Sequence, residues 1–244
     1  MSTTDLEPSP MPPVTAGPDH TAGRTTGAFY LALAITGMLG FLLIRPAIVD
    51  DDAAATLVNL RDHEALARMG IAVEMAVVLA QALTAVWFYR LFRTVDRFAA
   101  AAIMAFGMVN AVAIMASGAC LATALDAALG DAGAGAGTPQ LMYALSENFW
   151  GIGNLFFGLW LIPMGWCVLR SGTMPRLLGR LLVFSGIGYV LSGFVTYLLP
   201  QSDLLASLLA VPATVGEFWM IGYLLIRGIR TEKSEQKVST VDVR

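Results

Sequence analysis

Six apolar runs alternate with short polar connectors along the chain, at 26–44, 67–89, 98–125, 141–169, 181–199 and 204–226. Each reaches the length of about 18 residues at which an apolar helix crosses hydrocarbon, where backbone N–H and C=O groups must satisfy one another within the segment. The pattern predicts an all-α polytopic membrane protein, a six-transmembrane-helix bundle. Between the first two runs, the stretch from Asp50 to Ala65 has a different rhythm. Asp50 or Asp51 is placed to cap a helix on which Ala54, Leu57 and Leu60 share one side, an amphipathic segment for the outer surface.

Composition agrees with the pattern. Apolar residues make up 57% of the 244 and charged residues 14%, against roughly half and a quarter in a soluble domain. The first 23 residues are rich in Pro, Ser and Thr and poor in large apolar side chains, which predicts a disordered tail. They lack the basic opening of a signal peptide, so the first span is expected to stay in the mature protein. Residues 24–229 form the six-span domain and 230–244 a second polar tail. The Gly-rich loop GDAGAGAGTPQ reads as flexible.

Loop charges set an orientation. Arg24 precedes the first span, Arg90, Arg93 and Arg97 follow the second, Arg170, Arg176 and Arg180 follow the fourth, and Arg227, Arg230 and Lys233 follow the sixth. The alternate loops carry Asp50, Asp51, Asp52 and Asp62, then Asp126 and Asp131, then Asp203. Cationic loops stay on the cytoplasmic side, so both termini are expected in the cytoplasm. Three spans on either side of an outer loop also permit an inverted repeat, although the halves share no residue-level similarity.

Polar residues inside the runs are the candidates for chemistry. Counting about 1.5 Å per residue from the nearest arginine places Glu217 about 15 Å, Gln81 about 14 Å and Asn110 about 20 Å deep. Glu74 and Asn154 come out at about 24 Å, and Glu147 at about 34 Å, the outer headgroup level. On helical wheels Glu147, Gly151, Asn154 and Gly158 form one stripe, and Gly70, Glu74, Gln81 and Ala85 another. Glu217 continues the line of Ala206, Ala210 and Ala213, Ser185, Ser192 and Thr196 align with Gly188, and Ala28, Ala32 and Thr36 align with Gly40. Small residues permit close helix approach and polar ones bond between helices, so each stripe is expected to face a common core. A carboxylate in mid-bilayer costs at least about 2.5–3.5 kcal/mol and marks a functional position by default. With no basic residue in the span cores, Glu217 is expected to bond to Gln81 or Asn110, while Arg45 and Arg68 are within reach of the outer acids. Pro212 and Pro163 are expected to break their helices locally.

Several chemistries are excluded. His63 and Glu64 open an HExxH pattern that Ala67 ends, and the two histidines, His20 and His63, lie outside the runs. No catalytic, metal or cofactor motif is present, and the dispersed arginines offer no nucleic-acid surface. Cys120 and Cys167 lie near opposite ends of different spans and are not expected to pair.

The segments GAFYLALAITGMLGFLLIRPAIVDDDAAATLVNL and RMGIAVEMAVVLAQALTAVWFYRLFRTVDR, the SG-x-x-PR-x-LG-x-LL-x-x-x-G-x-GY run from Ser171 to Tyr189, and PATVGEFWMIGYLLIRG resemble the bacterial family called domain of unknown function 4386. The resemblance extends from Arg24 to Gly228. It implies a six-span fold, assigns no activity and supplies no catalytic residues, but places Gly216 and Glu217 inside a matching segment. The sequence therefore points to a non-enzymatic membrane protein that binds or moves a small ligand or protons through an outward-facing polar vestibule. Candidate residues are Glu217, Glu74, Gln81, Asn110, Asn154 and Glu147, the partners being the lipid bilayer and a small molecule. Alternatives are a structural or regulatory partner of another membrane protein and an intramembrane enzyme acting on a lipid.

Overall fold

The computed structural model describes residues 20–130, 135–199 and 201–228. Most of both predicted tails and the centre of the Gly-rich loop lie outside the described residues. The described chain is helical, without strands, and six of its helices are long and apolar enough to span a membrane. The protein is an integral, multi-pass membrane protein.

Helix α1 (His20–Met38) passes into a π-helical turn at Leu39–Ile44 and a short 3-10 turn at Arg45–Ala47. Its start takes in four residues that composition had assigned to the tail. Helix α2 (Ala53–Asp62) is the amphipathic segment. The spans α3 (Glu64–Phe92), α4 (Arg97–Leu129), α5 (Gly137–Ser171), α6 (Arg176–Leu198) and α7 (Asp203–Arg227) follow. The α5 and α7 helices continue through Pro163 and Pro212 without the break expected there.

The spans form a closed ring. Each packs on its neighbours in sequence, and α1 closes on α7. Around the middle, Trp160 of α5 is fully buried, edge-on to Tyr30 of α1 and Phe88 of α3 with ring centroids 5.5 and 6.1 Å apart. Perpendicular aromatic pairs of this kind add a preference for one geometry to the dispersion gained by close packing.

The tightest seam is between α5 and α6. A Cβ on Gly158 would lie 2.8 Å from the Gly186 carbonyl oxygen, and one on Gly165 would lie 2.6 Å from that of Gly179. Glycine at these places lets the backbones meet directly, the small-residue packing expected in a membrane. The stripe from Gly151 to Gly158 thus faces α6, whereas the interior face of α5 carries Ser146, Gly153 and Trp160.

Helix α2 lies across the end of the bundle, against α3, α4 and α5. Asp52, rather than Asp50 or Asp51, caps it by accepting from the Ala54 N–H at 3.0 Å. Its buried residues are Thr56 and Leu60, while Ala54 is exposed. Arg61 donates to the Ala128 carbonyl at 2.7 Å and Asn59 to that of Ile48 at 3.1 Å. Leu60 packs with Ile44, Ile48, Leu121 and Tyr143 in a small apolar core of its own. At the opposite end, which carries the chain termini, Asp96 caps α4 and accepts from Arg170 at 2.9 Å and Trp166 at 3.1 Å. The backbone N–H of Ala99 and the indole N–H of Trp166 hold the Asp96 carboxyl below its ordinary range.

A cleft with a carboxyl floor beside a buried ion pair

The polar residues of the spans separate into three groups. The first is a buried ion pair. The π-helical turn ends with the Arg45 N–H bonded to the Gly40 carbonyl, and the Arg45 guanidinium turns into the bundle. Its Nη2 donates to Glu74 Oε1 at 3.2 Å, Ser117 Oγ at 3.1 Å and Ser146 Oγ at 2.9 Å. Ser117 Oγ donates to Glu74 Oε1 at 2.5 Å, and Trp150 Nε1 donates to the same oxygen at 2.7 Å. Four spanning elements are thereby tied to one carboxylate oxygen. Charges held this far from water persist only when paired and hydrogen-bonded; Glu74 Oε1 accepts from three donors, while Nε and Nη1 of Arg45 are buried without a partner among the described residues. The expectation that Arg45 approaches an outer acid holds, whereas Arg68 pairs with Glu64 on the surface of α3 at 2.7 Å.

The second group is amide. Gln81 and Asn110 are buried, as depth and stripe predicted, and Gln81 Nε2 donates to the Gly107 carbonyl at 3.3 Å. Among the described residues Gln81 Oε1 and Asn110 Nδ2 have no hydrogen-bond partner. Neither amide reaches Glu217.

Glu217 belongs to the third group, a cleft between α1 and α7. These helices meet near the termini end: a Cβ on Gly27 would touch Leu224 Cβ at 3.0 Å. One turn on, Tyr30 Oη donates to Glu217 Oε1 at 2.5 Å. Beyond that bond they part. The end of α1 leans on α3, where Gly70 faces Ile44, and α7 leans on α6, where Gly188 faces the Leu209 carbonyl. The opening is a cavity of about 540 Å³ with α5 as its back wall. Met38, Leu42 and Phe218 line its mouth and are exposed on the bundle surface, so it opens sideways towards hydrocarbon.

Half-buried Glu217 sits at the floor of this cleft with Asn154, Tyr189 and Thr214 around it. Among the described residues these three side chains make no hydrogen bond. The indole N–H of Trp160 lies beside the same carboxyl, buried and short of hydrogen-bond geometry. Among the described residues no Lys, Arg or His lines the cavity. Of the candidates read from the sequence, Glu217 and Asn154 share this cleft, Glu74 lies in the ion pair outside it, and Tyr30 was missed. A tyrosine a few residues inside the first apolar run was the signal available. Glu147 is exposed at the rim of α5 and does not line the cleft.

The ion pair and the cleft share a wall. Phe41 stands perpendicular to Trp150, centroids 4.7 Å apart, and the Arg45 guanidinium lies over the Phe41 ring at 4.7 Å. Phe41 and Trp150 line the cleft on one side and hold Arg45 and Glu74 on the other. The model of the family described as a domain of unknown function, DUF4386, matches residues 25–228. The chain belongs to this family. No curated protein and no solved structure matches it. The DUF4386 match covers the six spans and assigns no activity, which is left to be argued from the site. Among the described residues no group of His, Cys, Asp and Glu is arranged to hold a metal ion, and Cys120 and Cys167 are buried and free.

Proposed function

We propose that this DUF4386 protein is a non-enzymatic ligand-binding protein of the bacterial inner membrane, with both termini in the cytoplasm. It admits a small membrane-soluble molecule through the side of the bundle and anchors it on Glu217. The observation that carries this reading is a carboxyl group at the floor of a cavity of about 540 Å³ whose lining, among the described residues, holds no basic side chain. Ligand pockets run from roughly 300 to 1,000 Å³, mostly apolar with a few convergent polar groups, and this one fits that description. An acid kept at this depth is costly, and Tyr30 supplies it with only one hydrogen bond. The inward cytoplasmic orientation follows from the loop arginines.

The polar vestibule expected from depth alone is replaced in this reading by a lateral cleft. Glu74 is neutralised by Arg45 and screened by Trp150, so the path from the surface to Glu217 runs past Asn154 and Thr214 without passing Glu74. Native mass spectrometry of the protein released from its own membranes tests the proposal. Gly37 lines the cleft and a Cβ there meets nothing within 4 Å, so Gly37→Phe fills the space without disturbing the backbone. A bound small molecule on the wild type that is lost in Gly37→Phe is the expected result. A wild type that carries nothing, or a bound mass indifferent to Gly37→Phe, refutes it.

A further inference from the structure

The cleft also states what kind of head group it fits. We infer that its ligand is an amphiphilic amine, bound with its protonated nitrogen on Glu217 and its apolar body directed to the mouth. This rests on the binding reading above and goes beyond it by naming the ligand's charge. Three independent features of the site converge on it.

The first is charge. Among the described residues Glu217 is the only carboxyl lining the cavity, and no Lys, Arg or His shares the lining. Arg45, the cation behind the wall of Phe41 and Trp150, is already committed to Glu74. A carboxylate in a low-dielectric cleft without a counter-ion favours a ligand that brings one.

The second is the wall. Tyr30, Phe41, Trp150, Phe157, Tyr189 and Phe218 all line the cavity. Aromatic faces carry a negative quadrupole and attract ammonium groups, whereas they offer an anionic head group nothing.

The third is the unused polar set. The side chains of Asn154, Tyr189 and Thr214 make no hydrogen bond among the described residues although all three line the cavity with Glu217. The Asn154 carbonyl and the two hydroxyl oxygens are acceptors, and a protonated amine carries N–H donors for them as well as for Glu217. A quaternary ammonium would meet the charge and leave these acceptors empty. Because the mouth is formed by exposed Met38, Leu42 and Phe218, the remainder of the molecule lies against apolar surface and reaches the site through the bilayer.

The test uses the full chain in lipid nanodiscs with tritiated dodecylamine as probe, and dodecanol and dodecanoate as chain-matched competitors. The expected result is saturable amine binding, with both competitors at least tenfold weaker, and Glu217→Gln erasing the preference while keeping an acceptor for Tyr30. Glu147→Gln, exposed at the rim, is expected to bind as the wild type does. The competitor ratio needs no variant, so it stands even if Glu217→Gln fails to fold. Dodecanol binding as tightly as the amine, or amine binding unchanged in Glu217→Gln, overturns the amine assignment. If Gly37→Phe then abolishes the alcohol's binding, the cleft remains a ligand site of another class. Absence of saturable amine binding overturns the assignment outright, and the native mass spectrum decides separately whether the binding reading falls with it.

Discussion

Trp150 donates its indole N–H to Glu74 at 2.7 Å while its ring forms part of the cleft that ends at Glu217. One side chain therefore belongs both to a closed ion-pair cluster and to an open binding surface. Trp150→Phe keeps the wall and removes the bond. The account predicts destabilisation by about 1–3 kcal/mol from the lost partner of a buried charge, read as a lower midpoint of thermal unfolding, with the cleft ligand retained.

The Arg45–Glu74 pair is predicted to behave as a unit. Removing one charge leaves the other buried and unpaired, so Arg45→Met or Glu74→Met alone should cost about 3–5 kcal/mol. The double substitution should recover most of that loss, because the desolvation penalty of both groups disappears with them. A double-mutant cycle on unfolding in detergent measures the coupling. Additive losses would contradict it.

Glycines in the α5–α6 seam are predicted to be intolerant of any side chain. Gly165→Ala places a methyl 2.6 Å from the Gly179 carbonyl oxygen, where backbone must shift, at a cost of about 1–3 kcal/mol. Gly222→Ala, with nothing within 4 Å of the new Cβ, serves as the contrast. There alanine gains up to about 1 kcal/mol of helix propensity. Thermal unfolding of the two variants should move in opposite directions.

The periodicity of the chain showed the six spans, their order and the Glu74–Gln81 face, because backbone satisfaction in hydrocarbon leaves helices as the only solution. It could not show which acid stands where around the ring. Depth is one coordinate, counted from a loop arginine; the angular position depends on packing partners far away in sequence. Arg45 illustrates the loss. It follows a π-helical turn, whose extra residue rotates the faces out of the 3.6-residue register, so depth put Arg45 within reach of an outer acid while the wheel that described α1 did not fix which way its guanidinium turns. Tyr30 was obscured for another reason: its role exists only because α7 closes the ring against α1. Hydroxyl stripes misled too, since Ser185, Ser192 and Thr196 bond to carbonyls of their own helix.

At the termini end, Asp96 predicts a pH dependence with a definite sign. Its folded value is lowered by the Ala99 N–H, then by Trp166 and Arg170, from an unfolded value of about 3.9. The stabilisation is therefore present above about pH 3.9 and is lost as the pH falls through the lower folded value. Because the group lies at the surface and is only half-buried, the effect is small and screened by salt. The gap in unfolding midpoint between wild type and Asp96→Ala should narrow as the pH is taken below 4, while a gap independent of pH would contradict the assignment.

The most direct measurement is an electron cryomicroscopy map of the protein purified from its own membranes without added ligand. The account predicts α1 and α7 parted beyond the Tyr30–Glu217 bond, with non-protein density against Glu217 and Asn154. Helices in contact along their whole length, with Glu217 sealed between them, would contradict it.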